Sequence, residues 1–245
     1  MMPNPTAAML VIGDEILSGR TRDANMYYLA GELTDKGINL KEVRVVSDDA
    51  TDIVDAVNAL RKRWDYVFTS GGIGPTHDDI TADCIGLAFG AKVDVRDDAR
   101  ALLQAHYDKS GQELNAARLR MARIPDGAQL IDNPVSTAPG FTLENVHVMA
   151  GVPRVFQAMV ASVLATISGG APLVSRSVRI DRGEGDIAGP LGVLAEKYSA
   201  VSIGSYPFQK DGKYGANIVI RGEDAREINR AVAALVGAFG DDATE

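Results

Sequence analysis

The sequence predicts an α/β protein: a mostly parallel, three-layer sheet over residues 1–168, followed by a small α+β unit over residues 173–240. Three observations carry this. Apolar, β-rich runs alternate with helix-patterned segments, as in βαβ crossovers. Three acidic or glycine-rich turns, Gly13 to Glu15, Ser47 to Asp49 and Gly71 to Asp79, fall where such runs end. Gly169-Gly170-Ala171-Pro172 then breaks the pattern with linker chemistry, and a second βαββα pattern follows.

Ala7 to Ile12 reads as a buried strand ended by Gly13-Asp14-Glu15. Asp23 can cap a helix from Ala24 to about Lys36, with Tyr28, Leu29 and Leu33 on one face and Gly37 as its stop. Ile38 to Val46 is a second strand. Ser47-Asp48-Asp49 leads into a helix over Ile53, Val54, Val57 and Leu60. The third strand is the Tyr66 run, and the helix after its glycine loop carries Cys84, Ile85 and Leu87 and ends near Gly90. Residues 97–123 read as helical and charged, with Leu102, Leu103, Leu119 and Met121 as packing positions; Arg118, Arg120 and Arg123 lie close together, as a solvated face or, as the alternative, in an anion-binding role. Ile131 to Phe141 is a loop, Val146 to Met149 a strand, and Pro153 opens the next helix. In the second unit, Leu173 to Ile180, Val201 to Tyr206 and Tyr214 to Arg221 are strands, with a turn at Asp211-Gly212. Asp186 to Lys197 and Ala225 to Phe239 are helices, and Gly240 to Glu245 are expected to fray.

Composition narrows the function classes. A net charge of −8 argues against a nucleic-acid-binding surface. No segment is long and apolar enough to span a membrane, and MMPNPTAAMLVIGDE lacks the basic start of a signal peptide, so a cytoplasmic protein is expected. The single cysteine, Cys84, excludes an internal disulfide and reads as a buried thiol. His77, His106 and His147 show no i, i+4 pair of the zinc-binding kind.

The chemistry concentrates in DYVFTSGGIGPTHDDITAD, residues 65–83. Glycines after a strand let backbone N–H groups approach a ligand, and the start of the next helix adds partial positive charge. Ser70, Gly71, Gly72, Gly74, Pro75 and Thr76 therefore suit a phosphate. Asp78 and Asp79 oppose one, by about 3 kcal/mol for unit charges about 5 Å apart at an effective dielectric near 20. A bridging Mg²⁺ or other divalent cation turns the same charges to use. A tight βα connection with Asp79 as a helix cap is the alternative. His77 is the histidine nearest this loop, as a base or as a solvent-facing side chain.

Further segments carry related chemistry. Gly13-Asp14-Glu15-Ile16-Leu17, with Gly19, Asp23 and Asn25, offers a close backbone approach, carboxylates and an amide that can donate to phosphate or accept from a base. Helix capping by Asp14 and Asp23 is the plainer account. Asn133-Pro134-Val135-Ser136-Thr137-Ala138-Pro139-Gly140-Phe141 places small residues and hydroxyls in one loop. Met149-Ala150-Gly151-Val152-Pro153-Arg154-Val155 joins a strand to a helix.

Together these motifs, over about residues 6–165, resemble the molybdopterin-binding domain shared by molybdenum-cofactor proteins and the N-terminal domain of the CinA proteins, and match the CinA type best. Residues 173–240 resemble, more weakly, the small subdomain that follows it there; the CinA amidase domain is expected to be absent. The resemblance implies a metal-dependent nucleotide pyrophosphatase acting on ADP-ribose or a dinucleotide such as FAD. Asp48 and Asp79 would be the important carboxylates, with Asp49 an equal candidate to Asp48. Asp78, Asp79 and Asp48 would hold the metal. Gly13, Asp14, Glu15, Asn25, the 70–76 loop and Ser136, Thr137, Ala138, Pro139 and Gly140 would bind the ligand. Adenylylation of molybdopterin with ATP, or pterin or nucleotide binding without turnover, are the alternatives. Related domains form dimers or trimers, so self-association is expected. The chain departs from the family pattern at Ser136, where glycine is usual, at Ala150, where proline is usual, and at Val155, where glutamate is usual. The last puts hydrolysis in question without touching binding.

Overall fold

A computed structural model describes residues 3–210 and 213–244. The chain divides into two compact units, residues 1–170 and 171–245.

The first unit runs β1 (Thr6–Ile12), α1 (Asp14–Leu17), α2 (Asn25–Asp35), β2 (Asn39–Val46), α3 (Ala50–Arg63), β3 (Tyr66–Ser70), α4 (Thr81–Phe89), β4 (Val93–Val95), α5 (Asp97–Ser110), α6 (Ala116–Leu119), β5 (Arg123–Pro125), β6 (Gln129–Ile131), β7 (Gly140–Leu143), β8 (Val146–Met149) and α7 (Pro153–Leu164). Its main sheet has the order β2-β1-β3-β8-β7-β6. The first four of these strands pair in parallel, and β7 alone runs against them, antiparallel to both β8 and β6. Both faces are covered, which is why β1 reads as an unbroken apolar run. Ala8, Leu10 and Ile12 pack with Ile53, Val57 and Leu60 of α3 and with Cys84 and Ile85 of α4. Ala7, Met9 and Val11 face the other way, onto Leu29 and Leu33 of α2 and Phe156, Val160 and Val163 of α7. Cys84 is buried, and burial pushes its thiol up to about 11, so it is an inert packing residue.

Local chemistry sets the helix ends. Asp49 accepts from the Thr51 and Asp52 amides and starts α3. Asp23 accepts from the Asn25 and Met26 amides at the start of α2. Gly90, at φ 66°, ends α4.

Residues 97–123 do not form the continuous helical stretch expected. Gly111 turns left-handed at φ 65° and stops α5, Asn115 caps the one-turn α6, and a 3₁₀ turn then leads into β5. Leu102 is 44% exposed rather than packed, while Leu103 is fully buried.

The second unit runs β9 (Val174–Ile180), α8 (Glu184–Lys197), β10 (Ser202–Lys210), β11 (Lys213–Gly222), α9 (Ala225–Phe239) and β12 (Ala243–Thr244). Its antiparallel sheet has the order β10-β11-β9-β12. Val178, Ile180, Ile218 and Ile220 pack against Ile187 of α8 and Ile228, Val232 and Leu235 of α9. The turn expected at Asp211-Gly212 lies outside the described residues. The last described residues are not frayed: Ala243 and Thr244 pair with Ile180 and Arg179, and the Asp181 amide donates to the Asp242 carbonyl at 2.9 Å, while Glu245 lies outside the described residues. Among the described residues no helix is long and apolar enough to cross a membrane.

Candidate functional site

The parallel strands β1, β2, β3 and β8 end on the same side of the sheet, where open α/β sheets bind ligands. There the first unit holds a cavity of about 530 Å³. Three turns separated in sequence meet in it: Gly13 and Glu15 after β1, Asp48 after β2, and Gly71, Gly72, Gly74, Pro75, Asp78 and Asp79 after β3.

The glycines are required by geometry. Gly71 sits at φ 112° and Gly72 at φ 69°, both in the left-handed half of conformational space. A Cβ on Gly71 would run into the Ile12 carbonyl oxygen, and one on Gly72 into the Thr81 hydroxyl. The Thr81 hydroxyl donates to the Gly71 carbonyl at 3.0 Å and the Thr81 amide to the Gly72 carbonyl at 3.0 Å. The first residue of α4 thus ties the loop to the helix that follows it.

The carboxylates differ in use. Asp79 does not cap α4. Its Oδ2 accepts from the Thr76 amide at 2.8 Å and the Thr76 hydroxyl at 2.6 Å, closing the loop on itself. Asp48 accepts from the Asp14 amide at 3.0 Å. Its pKa is raised, first by burial and then by the charges of Asp14, Glu15 and Asp78, which outweigh that hydrogen bond. Asp49, the equal candidate on sequence, is taken by the α3 cap, and only Asp48 of the two lines the cavity.

Loop 132–139 and the β8–α7 turn complete the lining. Asn133, 3% exposed, donates to the Ser136 hydroxyl at 2.7 Å and the Ala138 carbonyl at 2.8 Å, while its own oxygen accepts from the Val135 and Ser136 amides. Ser136 in place of glycine is unstrained, because the left-handed residue of this loop is Thr137, at φ 66°. Ser136, Ala138 and Pro139 line the cavity with Ala150, Val152, Val155 and Met159.

Other expected ligand residues lie outside its lining. Asp14 contributes its amide to Asp48, and Thr76 serves Asp79. Thr137 turns its hydroxyl to His106 at 3.1 Å, and Gly140 begins β7 against the Val148 carbonyl. Asn25 is buried and donates to Ser70 Oγ at 2.8 Å and to the Gly151 carbonyl at 2.7 Å, so Asn25 and Ser70 brace the floor beside a smaller pocket. None of the histidines lines the cavity. His77 is solvent-exposed, and His147 is buried with its pKa lowered to about 4 by desolvation.

Two arginines expected on a solvated face are instead drawn in. Arg120 donates to the Asp79 carbonyl at 3.2 Å, and Arg123 pairs with Asp83. Arg118 stays local, bonded to Gln112 and the Glu113 carbonyl over the Tyr107 ring. The sequence named Asn133 and Arg120 without fixing the part each plays here. Asn133 stood within a quoted motif, but Arg120 meets a residue 41 positions away, which no local pattern shows.

Among the described residues no three His, Cys, Asp or Glu side chains stand close enough together to hold a metal unaided. Magnesium commonly takes only one or two protein carboxylates and completes its shell with water and substrate phosphate. Asp48 is raised chiefly by burial, and the neighbouring negative charges that add to it are what such an ion would neutralise.

Residues 8–169 match the model of a probable molybdopterin binding domain, and residues 172–245 match the FAD synthase middle domain. A Pyrococcus horikoshii protein is 31% identical over 244 residues, covering 94% of each chain. A probable FAD synthase of Caenorhabditis elegans is 31% identical over 96% of this chain, which spans 50% of that protein. The crystal structure of CinA from Thermoplasma acidophilum superposes with a TM-score of 0.60 at 34% identity, over 65% of this chain and 95% of that one. This protein belongs to the molybdopterin-binding domain family, with a CinA-like first unit and a second unit that matches the FAD synthase middle domain.

Proposed function

We propose that the first unit is a metal-dependent nucleotide pyrophosphatase that cleaves a dinucleotide such as FAD or ADP-ribose. The observation that carries this reading is the meeting of Gly13, Asp48, Gly71, Gly72, Gly74, Asp78 and Asp79 in one cavity. Loop backbone N–H groups would bind the pyrophosphate, and Asp48, Asp78 and Asp79 would hold a divalent cation. Such an ion polarises phosphoryl oxygens and lowers the pKa of a bound water. Asp48, raised first by burial and then by its acidic neighbours, would accept that water's proton more readily than an ordinary aspartate. The apolar side chains Val152, Val155 and Met159 offer a surface for a base or an isoalloxazine ring. The FAD synthases among the relatives favour FAD over ADP-ribose.

A second reading, binding without turnover, is favoured by Val155, which brings an apolar side chain into the cavity where the family places a carboxylate. One experiment separates the two: incubate the purified protein with FAD, ADP-ribose and ATP, with Mg²⁺, Co²⁺ or EDTA, and resolve the products by chromatography. The expected result is metal-dependent AMP from FAD or ADP-ribose, lost in Asp79→Ala. Tight binding with no product would establish the second reading. ATP consumption that requires added molybdopterin would replace both with an adenylyl transfer.

A further inference from the structure

None of the residues lining the main cavity is a lysine or an arginine, yet four of them, Glu15, Asp48, Asp78 and Asp79, are acidic. An anionic ligand entering it therefore needs positive charge from elsewhere. Part can come from a metal. Beneath the glycine loop lies another source. Arg120 lines a small second cavity that shares Gly72, Ile73, Gly74, Asp79, Met121 and Pro139 with the main one. One terminal nitrogen donates to the Asp79 carbonyl at 3.2 Å, and its Nε is buried with no acceptor among the described residues. Its neighbour Arg123 is neutralised by Asp83, whereas no carboxylate pairs with Arg120 among the described residues.

We propose that Arg120 is the fixed cation of the phosphate loop, holding the Asp79 backbone from behind and offsetting the ligand's charge through it. This rests on reading the cavity as a pyrophosphate site. Arg120 touches no ligand in this arrangement, so it is a positioning residue. Its two contributions can be told apart. Glutamine keeps a donor for the Asp79 carbonyl but loses the charge. Lysine keeps the charge but loses the planar fork.

The test is calorimetric binding of ADP in the presence of Mg²⁺ to the intact chain and to Arg120→Gln and Arg120→Lys, with thermal unfolding of each. The expected result is affinity within about threefold of the parent for the lysine variant and at least tenfold weaker for the glutamine variant, at similar unfolding midpoints. Arg120→Met gives the same contrast if the glutamine variant does not fold. Equal affinity of the parent and the charge-removing variants would overturn the proposal and leave the pyrophosphate reading standing. So would a glutamine variant that outperforms lysine, since the arginine would then be a carbonyl clamp alone. Failure of the parent to bind ADP or inorganic pyrophosphate with Mg²⁺ would overturn both.

Discussion

The two walls of the cavity are built from opposite materials. One is acidic and glycine-rich, made by the turns after β1, β2 and β3, with side chains tied to backbone: Asp48 to the Asp14 amide and Asp79 to Thr76. The other is apolar, made by loop 132–139 and the start of α7, with Ala138, Pro139, Val152, Val155 and Met159 facing in. The first is suited to a charged group and a metal, the second to a ring. Under the proposed reading, a ligand that uses both is a nucleotide or pterin phosphate rather than free phosphate. The comparison also locates the departures from the family pattern at Ser136, Ala150 and Val155, all on the apolar wall, while the acidic wall keeps its full motif.

The largest expected effect attacks the acidic wall. Gly71→Ala forces a side chain into φ 112° and against the Ile12 carbonyl. A loss of about 3 kcal/mol or more, or failure to fold, should appear in urea unfolding. Equal stability would mean the loop is not held as described.

The strand leading to the apolar wall carries the next effect. His147 on β8 is buried against Phe68, with Nδ1 2.9 Å from the Thr142 hydroxyl. Its folded pKa of about 4 lies below its ordinary 6.5, so the unfolded chain binds more protons between those values. The stability it allows is complete above pH 6.5 and is lost as pH falls towards 4, by up to about 3 kcal/mol. His147→Phe should flatten that acid limb in unfolding curves taken across the range. An unchanged limb would assign the acid sensitivity elsewhere.

Val155→Glu exchanges one wall's chemistry for the other's. If the missing carboxylate limits turnover, AMP release from FAD should rise about tenfold, equivalent to about 1.4 kcal/mol in the barrier, with ligand affinity nearly unchanged. A rate that stays put would show that the apolar wall plays no part in the chemical step.

The smallest effect concerns Asp48. Its pKa is raised in the fold, so the native state binds its proton more tightly than the unfolded chain does. The ionised carboxylate therefore costs stability above the folded pKa, and the cost disappears below the ordinary aspartate value. Asp48→Asn should raise the unfolding midpoint of the metal-free protein at pH 7 by about 2 °C, a gain absent at low pH, while abolishing metal-dependent turnover. A lowered midpoint at pH 7 would contradict the electrostatic account of this wall.

Much of the fold and the acidic wall was legible in the sequence for physical reasons. A strand covered on both faces must be continuously apolar, as Ala7 to Ile12 is. A loop that passes within contact of the Ile12 carbonyl must use glycine, as at Gly71. What was not legible depends on distant segments. The apolar wall draws on the β8–α7 turn, α7 and loop 132–139 together, and Arg120 reaches the Asp79 carbonyl from a segment whose helix breaks at Gly111. The choice between Asp48 and Asp49 turned on which carboxylate the α3 amides claim, a question of backbone direction rather than residue type. Ala243 and Thr244 gave no strand pattern of their own, since a two-residue bridge to β9 is too short to have a period.

The central claim is that the acidic wall is a metal-pyrophosphate site. Its most direct test is anomalous diffraction from crystals grown with Mn²⁺ and ADP. The account predicts a manganese peak between Asp48 and the Asp78-Asp79 pair, with the diphosphate lying over Gly71 to Gly74. Diphosphate bound there without a metal, or a metal held away from those carboxylates, would contradict it.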